Sequence, residues 1–364
     1  MEKKNQAYRG GLLGFAVGDA LGSAVHDKSW ETIMDDYGPD GLLGYDLCDR
    51  EAGVTSYTQV LAYIANAFLV TVSRGSRGDY LKAHTTALRQ WAKRQHFPRD
   101  PEPAPLWVAR MPQLRKRSCK DARMLEALRF PQLGTFDKPI SRASSCGVLS
   151  YAAALALFFD PKRIPPERLG QMAADMAATT HGSAEAVFSA VVLAYGLAGV
   201  LHAPEIPLKE QFVRAVYVMQ EQFGGRHPVR LAAEPILEAI RLSEDPDQDP
   251  REVMEKLSCD DAPSALAGGI YAALCYPDDF DAAVVCAVNH SGASCAVAAV
   301  TGAILGAKMG EEAIADFYLE SLECKEILEE LADDLIRGSV VAGLFDTDWD
   351  QKYVHGIPLL PADE

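Results

Sequence analysis

The sequence has few cysteines for its length and too few basic residues to balance its acids. Eight cysteines in 364 residues are too few for a disulfide scaffold, and the nearest two, Cys286 and Cys295, are separated by eight residues. The 51 acidic residues outnumber the 35 basic ones, which gives a formal net charge of −16. This charge repels phosphate backbones and anionic lipid, so we expect no nucleic-acid partner and no membrane partner.

Long apolar runs are also missing. The first ten residues, MEKKNQAYRG, lack the apolar stretch of a signal peptide. Residues 147–159 are too few to cross a bilayer, and Ser189, Tyr195 and Gly196 interrupt residues 186–201. The cysteines are also expected to be free thiols, as in a reducing compartment. We therefore expect a cytoplasmic protein. A hydrophobic content of 48% excludes intrinsic disorder.

Apolar residues recur with helical periodicity along most of the sequence. Residues 59–72 carry apolar side chains at a spacing near 3.6, and Ser56 with Gln59 has the spacing of a helix capping box. Small residues recur along 10–26, a pattern that favours close packing against another helix. Further helices are predicted at 80–94, 148–159, 166–178, 184–202, 209–223, 235–242, 264–273, 280–288, 296–309 and 311–337. We predict an all-α protein with a single domain over residues 1–364.

Two segments break this pattern. Residues 97–120, FPRDPEPAPLWVARMPQLRKRSCK, are rich in proline and then basic, which predicts a solvated Pro/Arg-rich insertion. The tail from Phe345 onward reads as extended chain. Neither segment predicts a domain boundary.

Four separated segments stand in an order that indicates a family. They are GLLGFAVGDALGSAVH near the start, AGVTSYTQV at 52–60, ATTHGSAEAVFSAVVLAYGLA at 178–198, and DFDAAVVCAVNHSGASCAVAAVTGAILGAKMG at 279–310. Together they resemble the ADP-ribosylglycohydrolase family. The resemblance implies an orthogonal bundle of many helices and the release of ADP-ribose from modified proteins. It also implies two Mg²⁺ ions, which favour carboxylate oxygens as ligands.

The acidic positions of the family motifs are replaced here. The Thr-Asp-Asp-Thr motif reads Thr55, Ser56, Tyr57 and Thr58. The late Gly-Asp-Thr-Asp-Thr motif reads GASCA at 292–296, and His26 stands where a Glu closes the first motif. Asp19 is the acid that remains from these motifs.

An estimate shows what these replacements imply for the metal pair. Each carboxylate–cation contact at about 4 Å is worth about 4 kcal/mol per unit charge product in a protein environment. Losing several such contacts removes more than the roughly 8 kcal/mol that binds a ligand at micromolar affinity. We therefore expect no dinuclear magnesium site and no cofactor. We expect a pseudoenzyme-like protein that binds ADP-ribose, a related nucleotide or an ADP-ribosylated protein.

The resemblance also assigns a set of ligand-binding residues. They are Asp19, His26, Thr55, Ser56, Tyr57, Thr58, Cys146, Gly147, His181, Asn289, Gly292, Ser294 and Cys295. The alternative is an active hydrolase of ADP-ribose-type glycosidic bonds, with His26, Cys295 and Tyr57 as catalytic candidates. Such an enzyme would need no metal, would use a soft metal held by His26, His290 and Cys295, or would use Cys295 as a nucleophile. A scaffold whose cleft is filled by Tyr57 stays open as a third interpretation.

Overall fold

The computed structural model describes residues 2–47, 51–75, 79–97, 104–162, 164–225, 228–338 and 347–354. Its α-helices are α1 (Glu2–Gly22), α2 (Trp30–Tyr37), α3 (Ser56–Ser73), α4 (Tyr80–His96), α5 (Ala122–Ala127), α6 (Gly147–Phe158), α7 (Pro166–Ala178), α8 (Ala184–His202), α9 (Leu208–Phe223), α10 (Arg230–Leu242), α11 (Pro250–Leu257), α12 (Ala262–Cys275), α13 (Phe280–Val288), α14 (Ser294–Met309), α15 (Asp316–Ser321), α16 (Lys325–Arg337) and α17 (Thr347–Trp349). Short 3₁₀ turns lie at Val108–Arg110, Pro112–Arg115 and Glu311–Ala313, and a π-helical turn lies at Asp350–Val354. These ranges contain no β-strand, only an isolated parallel bridge between Ala52 and Leu322. The predicted all-α fold is confirmed.

Helices α1 and α14 pack against each other backbone to backbone. A Cβ atom at Gly14 would lie 2.1 Å from the carbonyl oxygen of Gly302, and one at Gly18 would lie 1.9 Å from that of Ala298. Only glycine permits this approach, so the small residues of α1 recur every fourth position along the contact. The close packing predicted for this segment is confirmed, and it fixes the end of α1 that carries Asp19 beside the start of α14.

The core is one continuous cluster of buried apolar side chains that runs from Tyr8 to Tyr353. Helices α3, α6 and α14 are buried on nearly all sides. Helix α8 is long and apolar enough to cross a membrane, but 78% of its apolar window is buried within the protein. It is therefore packed as the core helix of a helical domain.

The predicted and observed helices differ mainly near the C-terminus and at short elements. The helix predicted at 311–337 is divided into a 3₁₀ turn, α15 and α16. Helices α2, α5 and α11 span eight residues or fewer, too short to show apolar periodicity. Helix α10 begins at Arg230, five residues before the predicted start, and holds Pro235 inside it.

The prediction of a solvated insertion at 97–120 is wrong over 106–109 and at Leu114, whereas Arg110, Lys116 and Arg117 are exposed as predicted. Leu106, Trp107, Val108 and Leu114 are buried in the core, and the indole of Trp107 donates a 3.0 Å hydrogen bond to the Tyr353 hydroxyl. Residues 98–103 lie outside the described ranges. The extended tail is also wrong over 347–354, which is helical, while 345–346 and 355–364 lie outside the described residues.

Candidate functional site

The candidate site begins with Asp19, which lies near the end of α1 and is fully buried. Its carboxylate accepts four hydrogen bonds from the first turn of α3. The Thr55 N–H and hydroxyl donate at 2.9 and 2.5 Å, and the Thr58 N–H and hydroxyl donate at 3.1 and 2.7 Å. Burial raises the pKa of Asp19 above its ordinary value, and these four hydrogen bonds act in the opposite direction. Asp19 therefore serves as a remote cap for α3.

The capping box predicted from Ser56 and Gln59 is wrong. Helix α3 begins at Ser56, and its N-cap residue is Thr55, one position earlier. The Ser56 hydroxyl instead accepts a 2.9 Å hydrogen bond from the Lys120 N–H. The Gln59 side chain accepts a 3.0 Å hydrogen bond from the Trp91 indole. Both side chains bind distant segments because Asp19 already satisfies the helix end.

His26, Tyr57 and Cys295 lie together beside Asp19. The His26 Nδ1 accepts a 3.3 Å hydrogen bond from the Cys295 N–H, and the His26 ring meets the Tyr57 ring edge-on at 6.2 Å between centroids. Burial lowers the pKa of His26 from 6.5 to about 4, so the imidazole is neutral at pH 7. Burial also raises the pKa of the Cys295 thiol and of the Tyr57 phenol well above their ordinary values. These three groups are therefore uncharged.

A second buried cluster is centred on Asp121, which the sequence analysis did not single out. Its carboxylate accepts hydrogen bonds from the Met124 N–H at 2.9 Å, the Ser145 hydroxyl at 2.9 Å and the Gly147 N–H at 2.8 Å. The His181 Nε2 lies 3.4 Å from this carboxylate and 3.0 Å from the Ser145 hydroxyl. Burial favours a raised pKa for Asp121, but the hydrogen bonds that its carboxylate accepts and the neighbouring His181 ring outweigh it and hold the pKa below its ordinary value.

The two clusters are neighbours. The charge of Asp121 contributes to the raised pKa of Tyr57, and Cys146 contributes to it as well. The Cys146 thiol is buried and donates a 3.9 Å hydrogen bond to the Asp260 carbonyl oxygen. A Cβ atom at Gly147 would lie 2.6 Å from the Asp121 carboxylate, so this position requires glycine. The predicted site residues Cys146, Gly147 and His181 therefore meet around Asp121.

A surface cavity of about 630 Å³ opens beside Asp121, a size typical of small-molecule sites. Two arginines, Arg123 and Arg142, lie on its wall together with Phe130, whose side chain is 49% exposed. The remaining lining residues are Glu126, Ala127, Ile140, Ser141, Ala143, Ser144, Ser145, Asp260 and Asp261.

Other predicted site residues have contacts that serve the fold. The Asn289 side chain accepts from the Leu42 N–H at 2.7 Å and donates to the Leu42 carbonyl oxygen at 2.9 Å, which ties the 38–42 turn to α13. Gly292 has a φ of +128° and accepts a hydrogen bond from the Asp27 N–H at 2.9 Å. The Ser294 hydroxyl at the start of α14 is buried and has no hydrogen-bond partner among the described residues.

The chain resembles known proteins over nearly its whole length. The sequence model of the family described as ADP-ribosylglycohydrolase matches residues 1–343. The chain belongs to the ADP-ribosylglycohydrolase family. It is similar to an uncharacterized protein of Archaeoglobus fulgidus, with 27% identity over 340 residues that cover 92% of this chain and 96% of that protein. It shares its fold with a solved ADP-ribosylglycohydrolase-related protein complex, with a TM-score of 0.60 and 24% identity over 93% of this chain and 99% of that one.

The magnesium pair that the ADP-ribosylglycohydrolase resemblance implies does not fit these residues. Both oxygens of Asp19 are occupied as acceptors for Thr55 and Thr58. The other groups at the motif positions are hydroxyls, a phenol, an imidazole and a thiol, which supply no negative charge at neutral pH. Within the described ranges, no three His, Cys, Asp or Glu side chains are grouped so that they could hold a metal ion.

The soft-metal and thiol alternatives find little support in the contacts. Among the described residues, His26, His290 and Cys295 form no group able to hold a metal. The two ring nitrogens of His290 lie 2.9 and 3.0 Å from the carbonyl oxygens of Ser291 and Ala287, so both face the backbone and not a metal position. Because burial raises the pKa of Cys295, its sulfur stays a thiol, the weaker nucleophile.

Asp121, Ser145 and Arg142 are functional candidates that the sequence did not predict. Asp121 had a local signal, because it precedes a short helix and its side chain accepts from the Met124 N–H as a helix N-cap. Ser145 stands two residues before Gly147 at the start of α6, but nothing in the sequence places it near His181. Arg142 carries no local signal, since only the fold brings it to the cavity.

Proposed function

We propose that this ADP-ribosylglycohydrolase family member binds ADP-ribose or a related nucleotide, free or attached to a protein, without magnesium-dependent hydrolysis of the glycosidic bond. The observation that carries the proposal is the state of Asp19. Its carboxylate is used as the cap of α3, through four hydrogen bonds, and the neighbouring motif positions are uncharged. A pair of doubly charged ions would find a single carboxylate at the motif positions, and both of its oxygens are already used as acceptors.

The cavity beside Asp121 supports the binding half of the proposal. Its volume of about 630 Å³ suits a nucleotide-sized ligand. Arg142 is exposed, and its guanidinium suits bidentate contact with a diphosphate. Phe130 offers an aromatic face on which a base could stack, a contact worth about 1–3 kcal/mol.

The cavity also restricts how such a ligand would lie. Asp260 and Asp261 line it as well, and their carboxylates repel phosphate. Asp261 Oδ1 already accepts from the Ser264 N–H and hydroxyl at the start of α12, so Asp260 is the stronger candidate acceptor for a ribose hydroxyl. We therefore place the diphosphate towards Arg123 and Arg142, and a ribose towards the two aspartates. We also propose a cytoplasmic location, which the free cysteine thiols of the described residues support.

Calorimetric titration with ADP-ribose in the presence of a chelator tests the binding. We expect saturable binding by the wild-type protein and at least about tenfold weaker binding by Arg142→Glu, because the substitution reverses a charge facing the diphosphate. Arg230→Glu is the matched control: Arg230 is exposed on α10, its side chain pairs with Glu234 on the same helix, and it is absent from the cavity wall. Its affinity is expected to equal that of the wild type.

Hydrolysis is measured in parallel on ADP-ribosylated arginine and serine peptides. We expect turnover in the presence of Mg²⁺ to be no higher than turnover in the presence of chelator. Magnesium-dependent turnover contradicts the proposal, and turnover that persists in chelator supports the metal-independent hydrolase instead. If wild-type protein gives no saturable binding, the scaffold interpretation replaces both.

A further inference from the structure

We propose that Ser145 is the nucleophile of a second activity, the hydrolysis of carboxylic esters bound in the cavity beside Asp121. Ser145 lines this cavity, while His181 and Asp121 are buried directly behind it. The Ser145 hydroxyl oxygen lies 3.0 Å from the His181 Nε2, within the reach that a serine needs to pass its proton to a base. The activity uses other groups than the former metal positions and does not depend on nucleotide binding.

The surroundings of His181 suit a base that accepts at Nε2. Its Nδ1 lies 2.8 Å from the Thr180 hydroxyl, which is 2.9 Å from the Tyr151 hydroxyl. An Nδ1–H that donates to Thr180 leaves the Nε2 lone pair free for the proton of Ser145. Burial of the ring holds it in this orientation, since the His181 side chain has no exposed surface.

Asp121 is placed to stabilise the charge that forms on His181. One carboxylate oxygen of Asp121 lies 3.4 Å from the same Nε2 atom. When Ser145 gives up its proton, the imidazolium faces this carboxylate in a buried setting where charge interactions are strong. In the resting state, the hydroxyl proton of Ser145 points to the other oxygen of Asp121 at 2.9 Å. Rotation about the Cβ–Oγ bond redirects it to His181.

The backbone N–H groups that follow Ser145 are the candidate donors to a developing oxyanion. Ser145 stands just before the start of α6, and the Gly147 N–H is already bound to Asp121. The N–H groups of Cys146 and Val148 have no acceptor among the described residues. In hydrolases with a nucleophile at a helix start, the N–H of the next residue binds the oxyanion, and a glycine two positions on allows close packing. Cys146 and Gly147 occupy those two positions here.

The reaction balances with water as its only co-reactant. The Ser145 oxygen bonds to the ester carbonyl carbon while its proton moves to the His181 Nε2. The carbon–oxygen bond to the alcohol then breaks, and the alcohol leaves with that proton. Water attacks the acyl-serine, gives a proton to His181, and releases the carboxylic acid as the Ser145 hydroxyl is restored. Arg142 at the cavity wall favours esters that carry a negative group.

Two probes test the inference: p-nitrophenyl acetate as an ester, and diisopropyl fluorophosphate as a covalent label that loses fluoride to an activated serine. We expect one label per chain, on the peptide that contains Ser145, and saturable ester hydrolysis. Ser145→Ala is expected to lose the label and at least about 100-fold in kcat/KM. The matched control is Ser189→Ala, since the Ser189 hydroxyl is buried on α8, away from the cavity, and donates to the Glu185 carbonyl oxygen. Ser189→Ala should keep both the covalent label and the wild-type kcat/KM for ester hydrolysis.

Labelling of the wild type needs no variant to fold, and thermal melting verifies that Ser145→Ala is folded. Absence of label, label on another peptide, or hydrolysis by Ser145→Ala at the wild-type rate overturns the inference. ADP-ribose titration is scored separately. Failure of the esterase therefore leaves the nucleotide proposal standing, and failure of nucleotide binding leaves the esterase standing.

Discussion

His26 is expected to make the stability of the protein depend on pH between about 4 and 6.5. Burial lowers the pKa of His26 from 6.5 to about 4, which corresponds to about 3 kcal/mol at roughly 1.4 kcal/mol per tenfold change in proton binding. Below pH 6.5 the unfolded chain takes up a proton that the folded protein refuses until about pH 4. The buried neutral imidazole of His26 therefore contributes its full share to the free energy of unfolding above pH 6.5, and this share is lost as the pH falls to about 4.

Urea unfolding followed by circular dichroism, at pH 7, 6, 5 and 4, measures this effect. His26→Gln does not titrate, and its side-chain oxygen can still accept from the Cys295 N–H. Wild-type protein should lose about 3 kcal/mol more than this variant between pH 7 and 4. Burial lowers the pKa of His84 to about 3, but His84 is common to both proteins and cancels. His96→Gln, at an exposed position, should follow the wild type. Parallel pH profiles for the wild type and His26→Gln would refute the reasoning.

Two further predictions concern stability at pH 8, again by urea unfolding. Asp19→Ala leaves two buried N–H donors of α3 without an acceptor, at about 1–3 kcal/mol each, so we expect a loss of about 4 kcal/mol. Asp40→Ala, at an exposed turn, should change stability by less than about 0.5 kcal/mol; a similar small loss for Asp19→Ala would show that Asp19 does not cap α3. Gly18→Ala forces α1 away from α14 and should cost about 3 kcal/mol or more. Gly44→Ala meets open space and should be close to neutral; equal effects of the two would show that α1 and α14 tolerate separation.

Much of the fold could be predicted from the sequence because its helices are long and strongly patterned. The bounds predicted for α7, α8 and α13 match those observed. Trp107 shows where this reasoning ends. It lies in a segment rich in proline and basic residues, a composition that predicts solvent exposure, yet its indole is buried and bonds Tyr353, 246 residues away. Burial of this kind depends on contacts between distant segments and leaves no periodic signal.

The candidate site could also be predicted only in part from the sequence. The resemblance to the family assigned His26, Tyr57 and Cys295 to one site, and the structure brings these three residues together. The role of Asp19 was not predictable, because a helix cap is normally sought next to the helix start and Asp19 precedes Thr55 by 36 residues. Asp121 lies outside the four segments that carry the resemblance to the family.

The position of Asp19 explains how the fold can persist without the acids of the family motifs. A helix start buried in a core has free N–H groups that need acceptors, whether or not a metal ion is nearby. Asp19 meets that need for α3 from another helix, so Ser56 and Tyr57 are released from capping and are free to vary. The scaffold then depends on one buried carboxylate and on the packing of α1 against α14, and both remain in this chain. Chemistry is thus free to shift to Asp121, which holds a serine and a histidine at the edge of an open cavity.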